Sequence, residues 1–112
     1  MEPIEAVLIP ALGKPRRVTY SSLDELQALV GGYVECLAMA RPLDGVMWLN
    51  EEGKIHRLPY NIIATNVAII DSSDFVAGDV VVTGRINEGG DETNISQADA
   101  EFLLSLGTAV ST

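Results

Sequence analysis

Residues 22–32 constrain this chain most. Ser22 and Glu25 have the spacing of a capping box, in which a hydroxyl and a carboxylate satisfy amide donors at a helix start. Leu23, Leu26, Leu29 and Val30 then recur at intervals of three and four, the apolar stripe of an amphipathic helix. Gly31-Gly32 stops the helix, because glycine takes a left-handed conformation without steric cost. Residues 33–39 read at once as a strand. A short helix that feeds directly into a strand must bury its stripe on a sheet, so a purely helical or purely β-stranded chain is excluded.

The flanking segments extend the pattern. Residues 4–10 read as a strand closed by Pro10, Leu12-Gly13-Lys14-Pro15 as a turn, and residues 16–20 as a second, antiparallel strand. Residues 45–50 form another strand, Glu51-Glu52-Gly53-Lys54 a tight turn with Gly53 in the left-handed position, and residues 55–58 the return strand. Residues 59–70 fit two readings: many β-branched residues favour a strand, whereas Ile63, Val67 and Ile70 share one helical face behind Pro59. The helix is adopted here. Val80-Val81-Val82 marks a buried strand within residues 79–85. Ser96 caps a last helix with Asp99 at the box position, Ala98, Phe102, Leu103 and Leu106 on its apolar side, and Gly107 as its stop. The expected fold is α+β: a mainly antiparallel mixed sheet of about five to six strands built from hairpins, with two or three helices on one face. A single domain is expected over residues 1–107, with residues 108–112 as a loose tail.

Charge and composition exclude several functions. Sixteen acids oppose seven bases, for a net charge of −9. Residues 59–112 carry a single base, Arg85. Lys14, Arg16 and Arg17 form too small a patch to hold a phosphate backbone, so nucleic acid is not an expected partner. One cysteine, Cys36, and one histidine, His56, exclude a disulfide scaffold and a cysteine- or histidine-based zinc site. Every apolar run is short despite a mean hydropathy of +0.23, and residues 1–5 show no basic flank or leader, so neither a membrane nor export is expected. The expected setting is the cytoplasm.

No catalytic constellation is visible. Cys36 reads as a small buried hydrophobe inside a strand, and His56 as a surface side chain beside Lys54 and Arg57. The oxygen-rich segment 87–94 lacks the spacing of a calcium loop. No cofactor or metal is expected, and the chain does not read as an enzyme. Polar residues that folding leaves under-explained are Glu35 on its strand and Asn50, Lys54 and Asn61 around the turn. With Gly32 and Tyr33 they form the candidate binding set.

Four segments carry a resemblance. Gly31-Gly32-Tyr33-Val34-Glu35, Asn50-Glu51-Glu52-Gly53-Lys54, Leu58-Pro59-Tyr60-Asn61 with Ala64-Thr65, and Gly78-Asp79-Val80-Val81-Val82 stand in that order. Together they resemble a family of small domains from phages, plasmids and other bacterial mobile elements, catalogued only as a domain of unknown function. The resemblance spans residues 4–86 and implies a mobile-element setting but no catalytic residue. The expected function is a non-catalytic accessory protein that binds a host or phage protein. The alternative is a binder of a small molecule such as a nucleotide signal, with the pocket shared between subunits of a homo-oligomer.

Overall fold

A computed structural model describes the backbone of residues 2–110. The strands are β1 (Ile4–Ile9), β2 (Arg16–Tyr20), β3 (Val34–Ala38), β4 (Val46–Asn50) and β5 (Val80–Thr83). The helices are α1 (Leu23–Val30), α2 (Ile62–Val67) and α3 (Gln97–Val110). The fold is α+β: one five-stranded sheet in the order β2-β1-β5-β4-β3, with every neighbouring pair antiparallel.

The helices lie on both faces of this sheet, not on one. Val7, Ile9, Met47, Leu49, Val80 and Val82 pack with Ile63, Ala64 and Val67 of α2 and Ala100 and Leu103 of α3. Ala6, Leu8 and Val81 pack on the opposite face with Leu26 and Val30 of α1. The cause lies in the centre of the sheet: β5 is valine on both faces, and an apolar strand must be covered twice.

Local chemistry sets the helix ends. The Glu25 amide donates to Ser22 Oγ at 3.1 Å, and Gly31 closes α1 with φ 83°. Asn61 caps α2 by accepting from the Ala64 amide at 3.0 Å. Ser96 Oγ accepts from the Asp99 amide at 3.1 Å. The buried Asp99 carboxylate then accepts from the amides of Asp44 and Gly45, at 2.9 and 3.2 Å. That contact orients α3: Ala100 and Leu103 are buried, whereas Ala98 and Phe102 are exposed. Gly107 does not end α3, which runs on to Val110. It is buried against the side chains of Lys14 and Pro15. Of the tail expected at residues 108–112, residues 111 and 112 lie outside the described residues.

Three further expectations fail. Residues 55–58 form no return strand. Residues 51–57 are a run of hydrogen-bonded turns, with amides of His56, Arg57 and Leu58 donating to carbonyls of Glu52, Lys54 and Gly53. Both sides of β4 are already occupied, by β3 and β5, so no partner is left for such a strand. The left-handed residue here is Arg57, φ 55°, while Gly53 is required by proximity: a Cβ there would lie 2.8 Å from the Ala77 carbonyl oxygen. Cys36 is exposed rather than buried, because β3 is an edge strand.

Candidate functional site

β3 pairs with β4 in a register that sets Glu35 opposite Leu49 and Val34 opposite Asn50. This brings Glu35 to the face shared with Leu37 and Leu49, where the turns after β4 and residues 70–77 form walls. The result is a cavity of about 310 Å³. Its polar lining includes Glu35, Glu51, Lys54 and Asp74, and its apolar lining includes Leu37, Ile55, Ile70 and Phe75.

One clasp holds the far wall. Lys54 Nζ donates to Asp74 Oδ1 and lies 4.9 Å from the centre of the Phe75 ring. The same Asp74 oxygen accepts from the Phe75 amide at 2.8 Å. The bond from Lys54, and next that from the Phe75 amide, hold the Asp74 carboxyl below the usual carboxylate range. Tyr60 packs against Phe75 with ring centroids 5.6 Å apart. Lys54, the single cation of the lining, is thus already paired, and the carboxylates of Glu35 and Glu51 leave the cavity with a negative balance.

The structure divides the candidate set. Glu35 and Lys54 line the cavity, and Asn50 reaches its rim. The Asn50 side chain is only 6% exposed and serves the backbone. Its Oδ1 accepts from the Glu52 amide at 2.8 Å and its Nδ2 donates to the Val30 carbonyl at 3.4 Å. Gly32 lies beneath that amide, since a Cβ would stand 2.9 Å from Asn50 Nδ2. Tyr33 is 67% exposed, and its carbonyl accepts from the Glu51 amide. Asn61 is 1% exposed and does not line the cavity; its Nδ2 donates to the carbonyls of Ile9 and Gly78 at 2.9 Å each. Sequence reasoning missed Ile70, Asp74 and Phe75. The one available signal was Phe75 itself, a large aromatic directly after the polar run Asp71-Ser72-Ser73-Asp74.

His56 stands outside the cavity, with Nε2 3.7 Å from Glu52 Oε2. Among the described residues, no three His, Cys, Asp or Glu side chains gather as metal ligands, and no helix is long and apolar enough to cross a membrane.

The site thus sets an edge strand, β3, beside an acidic, partly apolar hollow. Residues 4–106 match the family described as Domain of unknown function (DUF3846), and the chain belongs to that family. No curated protein and no solved structure matches it.

Proposed function

We propose that this chain is a non-catalytic accessory protein that acts by binding another protein through the face formed by β3 and the neighbouring cavity. The observation that carries this reading is the cavity lining: Glu35 and Glu51 stand beside exposed Ile55 and Phe75 on the edge of the sheet. Apolar side chains supply contact area, and carboxylates select a partner of opposite charge. The proposed setting, supported by the resemblance to domains of mobile elements, is a bacterial cytoplasm, and the proposed partner is a host or phage protein.

The cavity volume also suits a small ligand. Its acidic balance weighs against a nucleotide, whose phosphates Glu35, Glu51 and Asp74 would repel. A small-molecule reading therefore points to a cationic compound.

Capture from bacterial cells, followed by native mass spectrometry, tests the proposal. The wild-type protein should retain a protein partner in fixed stoichiometry, and the Glu35→Lys/Glu51→Lys variant should lose it. Equal retention by both proteins overturns the reading. Retention of a small molecule alone replaces it with the ligand alternative.

A further inference from the structure

The two edges of the sheet differ. β2 presents Arg16 and Arg17, both exposed, and charged side chains of this kind keep an edge strand from pairing. β3 carries a single charge, Glu35, among Val34, Cys36, Leu37 and Ala38.

The hydrogen-bond pattern shows which groups of β3 face outward. The Glu51 amide donates to the Tyr33 carbonyl, so Tyr33 points its backbone inward at the β4 side. The Ile69 amide donates to the Ala38 carbonyl, so Ala38 points outward. Alternation along an antiparallel strand then turns Val34 and Cys36 outward too. Residues 67–69 cover only the far end of this edge: the Ala40 amide donates to the Val67 carbonyl, and Met39 bridges Ala68. The chain then departs through Ile70 toward Asp74, forming the cavity wall. Among the described residues, nothing pairs with the outer groups of Val34 and Cys36.

Resting on the protein-binding reading above, we infer that this open half-edge accepts an extended segment of a basic partner protein as an added strand. The segment continues the line that residues 67–69 begin. Side chains on directly opposed residues of paired strands point to the same face. The partner residue opposite Glu35 therefore projects on the cavity side, toward Glu35 and Glu51, while its neighbours lie beside Val34 and Cys36. An arginine or lysine at that position, with apolar residues on either side of it, fits this surface. Backbone bonds to Val34 and Cys36 supply affinity, and the carboxylates supply the choice of side chain.

Fluorescence anisotropy with short synthetic peptides tests the inference. A peptide alternating arginine and valine should bind the full chain at least about tenfold more tightly than its glutamate counterpart. N-methylation of its alternate amides, which removes donors but keeps the charge, should abolish binding. Glu35→Lys should invert the preference between the two peptides, and Glu35 is exposed, so this substitution leaves the core intact. Equal binding of the two peptides, binding that survives N-methylation in both registers, or no binding at all overturns the inference. Self-assembly of the chain that is lost in Arg16→Glu/Arg17→Glu also overturns it, by assigning the β3 edge to the β2 edge of a second copy. If the peptides fail while Glu35→Lys/Glu51→Lys still loses a captured protein, the added strand is refuted and protein binding at this face stands. If that capture is also unaffected, both fall.

Discussion

Asn61 at the start of α2 donates from Nδ2 to the carbonyl of Ile9 at the end of β1, a 2.9 Å bond across 52 positions of sequence. The same amide group donates to Gly78, and Oδ1 accepts from Ala64, so one side chain joins a strand, a loop and a helix. Removing it strands buried carbonyls and opens a helix cap. Asn61→Ala should destabilise the fold by about 2–4 kcal/mol in urea titration. A loss below about 1 kcal/mol would return Asn61 to the binding set, since a cap alone costs that much.

The turn out of α1 carries a second expectation. Gly31 has φ 83°, and Gly31→Val should cost more than ~1 kcal/mol, because a β-branched residue resists that conformation. Gly32→Ala drives a methyl group against Asn50 Nδ2. It should therefore destabilise the wild-type chain but be nearly harmless in an Asn50→Ala background. A double-mutant cycle should give a coupling of about 1 kcal/mol, and additive losses would refute the contact.

Much of the fold was legible because its signals are local. The Ser22 cap, the Gly31 stop and the valine run of β5 each need only a few neighbouring residues. What was hidden depends on distant partners. The return strand expected at residues 55–58 fails because β5 already occupies the inner side of β4. The apolar side of α3 was right at Leu103 and Leu106 but wrong at Ala98 and Phe102, because buried Asp99, which reads as a cap residue, is held by the amides of Asp44 and Gly45. The cavity was half legible: Glu35 and Lys54 stood out as surplus polar groups. Asp74 and Phe75 join them through a long loop that has no periodicity to read.

The Asp74 carboxyl is held low by Lys54, and its sign determines the pH response. A depressed carboxyl contributes its full stabilisation above the unfolded pKa, about 3.9, and loses it as pH falls through the lower folded value. The Phe75 amide resonance, which reports the bond to Asp74, should stay constant from neutral pH to about pH 4 and move only below. In Lys54→Met the transition should rise toward the ordinary carboxylate range. An unchanged midpoint would show that the clasp does not form in solution.

Cys36 offers a chemical probe of the opposite face. Partial burial pushes its thiol up, and the negative charge of Glu92 adds to that shift. Glu92 also accepts from the hydroxyl of buried Tyr20. Glu92→Gln keeps an acceptor for Tyr20 but removes the charge. Alkylation of Cys36 by iodoacetamide at pH 8 should then accelerate by about twofold or more, as the thiolate fraction rises. A slower or equal rate would place Glu92 away from the thiol.

The position of β5 has a consequence for how the chain is made. The hairpin of β1 and β2 and the hairpin of β3 and β4 never pair with each other, and each is joined to Val80–Thr83 instead. Leu8 must wait for Val81, and Trp48 for the same residue, before either hairpin has an inner neighbour. During synthesis the sheet therefore cannot close until most of the chain has left the ribosome, and closure then unites both halves in one late, long-range step. A nascent chain halted before residue 80 would carry two separate hairpins whose apolar inner edges are bare, the form in which such a protein most readily aggregates.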